Sequence, residues 1–229
     1  MILGINAEWF LIIVIGIVGL IVQAKLQSVF NKFSRVPFPG GMTGKEVAEK
    51  MLRDNGIHDV TVTSTRGHLT DHYNPQTRTV NLSESVYASN SVAAAAVAAH
   101  ECGHAVQHAH EYAPLKMRSA LVPVIQFTST WSTWVVIAGL FTIHSFPQLF
   151  WIGIAMIACS ALFSVITLPV EYNASARALQ WLQGSRTLEG EQLGQARTAL
   201  RWAARTYLVA ALSAIATLLY YLSLARGRD

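Results

Sequence analysis

Ser91-Val-Ala-Ala-Ala-Ala-Val-Ala-Ala-His100 runs straight on into Glu101-Cys-Gly-His104. The alanine-rich part is a strong helix former with no polar face, so this helix is expected to be buried and to run to about Tyr112, before Pro114. A buried helix ending in His-Glu-x-x-His is unusual. Residues four apart share a helix face with Cβ atoms about 6 Å apart, so His100 and His104 can both reach one ion at the roughly 2.0–2.1 Å that imidazole–zinc bonds require. Glu101 sits one step round, beside the ion's open position, where a carboxylate can take a proton from water. Gly103 leaves room for a close neighbour. Cys102 lies about 200° round the helix from His100 and points away. A di-iron reading of Glu101-x-x-His104 would need a second Glu-x-x-His, and no other Glu is followed by His at that spacing.

A catalytic zinc takes a third protein ligand and keeps one position open. His110 stands where the longer metzincin motif puts its third histidine, but Gln107 occupies the position of the glycine that turns the chain there. His108 is one turn beyond His104, and a straight helix cannot wrap three turns round one ion. Glu171, in Pro169-Val-Glu-Tyr-Asn-Ala-Ser175, is the favoured candidate. A carboxylate near the hydrocarbon edge is costly unless paired or metal-bound. The alternative is a charge favoured by the dipole at a helix start. Ser175, one turn on, can hydrogen-bond a ligand histidine. His68, Asp71 and His72 read as a loop rather than a second metal site. Tyr73, Tyr112, Tyr172 and Arg177 are the candidates for stabilising an oxyanion.

Around this motif lies a polar insert. Thr43-Gly-Lys-Glu46 is a capping box opening a helix to about Asn55, stopped by Gly56. Val60–Ser64 and Thr77–Leu82 read as strands, with His72-Tyr-Asn-Pro75 in the connection. The second strand is expected to offer an edge to an extended substrate. Ser83 or Asn90 is expected to cap the helix that follows.

Beyond the insert, four apolar blocks stand out, at about residues 5–22, 121–143, 148–168 and 207–224. Each is near the twenty residues that cross a bilayer. The first has no basic start and no small-residue cleavage site, so it reads as a retained span rather than a signal peptide. Trp9, Trp131, Trp134 and Trp151 fit interfacial or bundle packing. Charged residues are only 13% of the 229 and hydrophobic ones 52%, with a mean hydropathy of +0.35. That composition excludes intrinsic disorder. The net charge is +4 and the pI about 9.2, but no basic run carries interleaved aromatics, so no nucleic-acid partner is expected.

Of the 17 Lys and Arg, ten fall in residues 24–120 and five in 170–205. Four spans put both segments on one side, and the positive-inside rule makes that side the cytoplasm. Cys102 and Cys159 are then free thiols on a reducing face. The expected organisation is a transmembrane helix at 1–23, a cytoplasmic zincin-like insert at 24–120 and two transmembrane helices at 121–169. A cytoplasmic helical segment at 170–205, broken at Gly184, and a fourth transmembrane helix with tail at 206–229 complete it. The fold class is mainly α: a polytopic membrane helical bundle of about four spans with a zincin-like α+β metallopeptidase domain.

Leu69-Thr-Asp-His-Tyr-Asn-Pro75, Val80-Asn-Leu-Ser83, Val97–Gln107, Pro169–Ser175 and Thr206-Tyr207 together resemble the YugP-like family of membrane neutral zinc metallopeptidases, over nearly the whole chain. More distantly they resemble HtpX-like and CAAX-prenyl-protease-like gluzincins. The resemblance implies a zinc cofactor held by His100, His104 and Glu171, with Glu101 as general base. Related gluzincins often carry Asp where Ser175 stands. The function implied is hydrolysis of polypeptides, membrane or membrane-proximal proteins among them, beside a lipid bilayer of the bacterial inner (plasma) membrane kind. The competing reading is a non-catalytic membrane scaffold with a structural metal or none. A structural zinc is usually closed by a fourth Cys or His, and Cys102 is badly placed for that. Transport would call for charges within the spans, and the three later blocks hold no Asp, Glu, Lys or Arg.

Overall fold

A computed structural model describes residues 7–226 of the chain. Residues 1–6, which include the start of the N-terminal apolar block, and residues 227–229, with Arg228, lie outside the described residues. The elements in chain order are α1 (Ala7–Phe33), α2 (Gly44–Asp54), β1 (Thr61–Thr65), β2 (His72–Asn74), β3 (Thr79–Ser83), α3 (Glu84–Tyr87), α4 (Val92–Ala109), α5 (Ala113–Phe141), α6 (Pro147–Gly184) and α7 (Gly190–Arg226). The fold is mainly helical with one small sheet. Helices α1, α5, α6 and α7 are each long and apolar enough to cross a bilayer. This is a membrane protein.

The chain divides into two compact units. Among the described residues the first takes 7–21, 117–168 and 206–226. Its helices turn apolar side chains outward: Phe10, Phe127, Trp134 and Phe141 are all more than half exposed, as a surface facing lipid tails allows. Inside it Val136, Phe150 and Ile154 pack against Leu218 and Leu222. A Cβ built on Gly139 would meet the Phe150 backbone at 2.5 Å, so α5 and α6 approach there as small residues permit between membrane helices.

The second unit takes residues 22–116 and 169–205. Its core joins Phe30 and Phe33 of α1, Val47, Met51 and Leu52 of α2, Val80 and Leu82 of β3, the alanines of α4, and Ala178, Leu182, Ala196 and Leu200 of α6 and α7. Helix α2 carries the expected capping box: the Glu46 amide donates to Thr43 Oγ1 at 3.3 Å, and the Thr43 amide to Glu46 Oε2 at 2.7 Å. Gly56, at φ +69°, turns the chain after it.

The strands depart from expectation. The connection His72–Asn74 is itself a strand, and the sheet order is β1-β3-β2. β3 pairs in parallel with β1, with Val80 opposite Val62, and antiparallel with β2, with Val80 opposite Tyr73. The strand expected to offer a free edge is therefore the central one. Its fully buried Val80 and Leu82 are the physical reason: this strand holds the sheet on the core.

The cap of α4 is Ser91, whose Oγ accepts the Ala94 amide at 3.2 Å, not Asn90 or Ser83. Ser83 instead donates its amide to Asp71 Oδ1 at 2.7 Å. Helix α4 stops at Ala109, short of Tyr112, where Glu111 at φ +52° turns the backbone. Pro169 does not start a new helix. It stands inside α6, which runs unbroken to Gly184. The lost rung at a proline is tolerated in long apolar helices whose neighbours hold them in place.

Candidate metal centre

Helices α4 and α6 meet within the second unit at Gly103. A Cβ built there would stand 2.5 Å from the carbonyl oxygen of Ala174, so only glycine lets the two backbones come this close. That approach brings one turn of α4 against one turn of α6. His100, His104 and Glu171 converge there, with donor atoms all within 4.8 Å of one another. Nε2 of His100 lies 3.3 Å, and Nε2 of His104 3.6 Å, from Oε2 of Glu171. Glu171 and His104 are buried, and the His100 side chain is 12% exposed. Because Glu171 sits inside a continuous helix, the helix-start explanation of its charge falls away.

Both imidazoles are held from behind. Ser175 Oγ lies 3.1 Å from His100 Nδ1, and Gln107 Oε1 lies 3.0 Å from His104 Nδ1. The Gln107 amide nitrogen donates to the Val170 carbonyl at 2.8 Å. A carbonyl only accepts, so the amide cannot be reversed, and Oε1 must accept a proton carried on His104 Nδ1. When that ring is neutral, as a metal ligand must be, its Nε2 lone pair faces a carboxylate oxygen. That arrangement suits a cation held between the ring nitrogens and the carboxylate.

Zinc fits this donor set. Two ligands each about 2.0–2.1 Å from a tetrahedral ion stand about 3.3–3.4 Å apart. The two His–Glu separations bracket that value. The set of two imidazoles and one carboxylate is also the chemistry of a catalytic zinc with one position left open.

Glu101 is buried on the same helix. Cys102 is fully buried on another side of α4, where its Sγ donates to the Ala48 carbonyl at 3.5 Å. Burial pushes its thiol well above the ordinary cysteine range, so it stays protonated and takes no part in the cluster. His110 caps the C-terminus of α4 with Nδ1 on the Val106 carbonyl at 3.0 Å. His108 is paired with Tyr73, whose phenol oxygen lies 2.7 Å from its Nδ1. Burial raises the Tyr73 phenol above its usual range, so the phenol stays protonated beside His108. Asp71 accepts from Ser83, and His72 Nδ1 lies 2.8 Å from the Thr70 carbonyl oxygen. Among the described residues the one cluster of metal-ligating groups is the triad. Of the oxyanion candidates, Arg177 donates Nε to Asn173 at 2.8 Å, and Tyr172 is exposed.

In the sequence Gln107 stands out only as the residue in place of the metzincin glycine. Its spacing of three from His104 on a buried helix, where polar side chains need partners, is the signal that marks it.

Residues 8–226 match the family described as "Putative neutral zinc metallopeptidase". The chain is 38% identical over 223 residues to the "Putative membrane protease YugP" of Bacillus subtilis (strain 168), covering 96% of this chain and 98% of that protein. No solved structure matches it. The family match takes in the sheet, both helices of the triad and most of the described chain, and the chain belongs to that family.

Proposed function

We propose that this protein is a membrane zinc metalloendopeptidase of the gluzincin type, with a zincin-like domain formed by the second unit. The observation that carries this reading is the buried convergence of His100, His104 and Glu171 from two helices. These three residues would hold the metal. A zinc ion there supplies Lewis acidity to the scissile carbonyl and to water. Glu101, one step round α4 from His100, takes the proton from the attacking water and returns it to the leaving amine. Ser175 and Gln107 hold the two rings in place. Burial of the triad keeps bulk water from competing for the ligands.

The substrate edge is read as β2 rather than β3. β2 is an outer strand of the sheet, and its Tyr73 is joined to His108, one turn beyond His104. An extended polypeptide adding to β2 would run beside α4.

The substrates proposed are membrane or membrane-proximal proteins, and the site is read as cytoplasmic at a plasma membrane. Support for the side comes from the charge count, with fifteen of 17 Lys and Arg in residues 24–120 and 170–205. The scaffold reading gains nothing from Cys102, which is turned to Ala48 and cannot close the coordination shell.

The deciding experiment is metal analysis and casein hydrolysis by the detergent-purified protein, with Glu101→Gln alongside. One zinc per chain in both, with hydrolysis in the wild type alone, supports the reading. Equal hydrolysis by metal-loaded Glu101→Gln rejects it.

A further inference from the structure

Gln107 is fully buried, and its amide is used at both ends. Oε1 faces His104 Nδ1 at 3.0 Å. Nε2 donates to the Val170 carbonyl at 2.8 Å and to Asn173 Oδ1 at 3.0 Å. Asn173 Oδ1 is also the acceptor for Arg177 Nε at 2.8 Å. Each link has one possible direction. A guanidinium only donates and a carbonyl only accepts, so the Asn173 and Gln107 amides are both locked in orientation.

The two histidines differ in this respect. Ser175 is a hydroxyl and can donate or accept toward His100, so it leaves that ring's tautomer open. Gln107 cannot donate through Oε1, so in the neutral ring that binds a metal it fixes the proton on Nδ1 and leaves the lone pair on Nε2. The residues it holds on α6, Val170 and Asn173, flank Glu171 in sequence. One buried amide therefore ties the ring to the turn that carries the facing carboxylate.

We propose that Gln107 is a positioning residue for the metal: it sets the His104 tautomer and holds that ring in register with Glu171. The inference rests on reading the triad as a zinc site. A neutral amide does here what a carboxylate behind a ligand histidine does elsewhere, without burying a second negative charge next to Glu171.

The test uses the full chain in detergent. Zinc affinity is measured by chelator competition, the cobalt form by its visible absorption, and stability by metal-free thermal unfolding, for wild type, Gln107→Met and Gln107→Glu. Met keeps the volume and loses every hydrogen bond. Glu keeps an acceptor for His104 and, when ionised, loses the donors to Val170 and Asn173. The expected result is a 10–100-fold loss of zinc affinity and an altered cobalt band in Gln107→Met. Gln107→Glu should bind zinc at or above the wild-type level while unfolding at a lower temperature.

Zinc binding in Gln107→Met equal to wild type overturns the proposal. So does a loss of affinity in both variants that merely tracks their loss of stability. If Gln107→Met does not fold, Gln107→Glu decides alone: retained affinity supports the proposal, and lost affinity overturns it. A wild-type protein that binds neither zinc nor cobalt rejects the zinc reading itself, and this inference with it.

Discussion

Gly103 lies under the carbonyl oxygen of Ala174 with no space for a side chain: a Cβ on it would be 2.5 Å from that oxygen. The contact falls between the two histidines on α4 and next to Ser175 on α6. It sets the spacing from which Glu171 reaches both rings. Gly103→Ala must push the helices apart or bend one of them. The expected cost is about 1–3 kcal/mol, the usual penalty for overpacking a core, together with weaker zinc binding. Thermal unfolding and a chelator titration check the two effects. A Gly103→Ala protein as stable and as tight for zinc as wild type would show that the helices are not held this closely.

Glu101→Gln removes a base and leaves the ligands. Hydrolysis is expected to vanish, since general-base catalysis typically contributes 10²–10⁴-fold, while zinc content stays at one per chain. Loss of metal in this variant would instead make Glu101 a ligand and upset the assignment of roles.

Cys102 offers a prediction about reactivity. The thiolate, not the thiol, attacks alkylating reagents. Burial raises the Cys102 thiol above its ordinary range, so the thiolate fraction at pH 8 is smaller than for a free cysteine. The folded protein is expected to leave Cys102 unmodified by N-ethylmaleimide, and denatured protein to react. Mass spectrometry of the peptide containing residue 102 reads the result. Rapid modification in the folded state would mean that α4 is not packed as described.

Much of the site was legible because its residues are close in sequence or confined to one short motif. His100 and His104 share a helix turn, and Glu171 and Ser175 share another. The structure brings the two turns together, with Ser175 behind His100 as the four-residue spacing allowed. What escaped the sequence was non-local. β2 has three residues in a stretch dense with turn formers, and it becomes a strand through pairing with β3. The parallel pairing of β1 with β3 leaves no local pattern, so by sequence alone the central strand reads as an edge. Pro169 reads as a helix start, but packing along α6 overrides the local preference. Gln107 has no local signature because its partners Val170 and Asn173 are more than sixty residues away.

Membrane topology is open to direct test through single cysteines at Ser64 and Ser185, placed in a background lacking Cys102 and Cys159. Both positions are expected to react with an impermeant maleimide only when the cytoplasmic face is exposed. The reasoning is that an even number of spans separates them, at about residues 121–143 and 148–168, and that both neighbouring segments carry the positive charge. Labelling from opposite faces would break the span count and with it the joint cytoplasmic placement of α4 and Glu171.

The comparison of Glu171 with His110 separates two kinds of zinc site. Two helical histidines leave a zinc ion under-coordinated, and the third donor decides the class. Glu171 Oε2 stands 3.3 Å and 3.6 Å from the two ring nitrogens, within reach of a shared ion. His110 instead ends α4, its Nδ1 turned back on the Val106 carbonyl at 3.0 Å. Glu171→Ala should therefore lose most zinc affinity, and His110→Ala should keep nearly all of it. Ser175→Ala should fall between them, since loss of a group that orients a ligand typically costs 10–100-fold. A chelator titration of the three variants ranks them. Metal lost from His110→Ala and kept by Glu171→Ala would require the end of α4 to unwind toward the site, and a metzincin-like centre would replace the one assigned here.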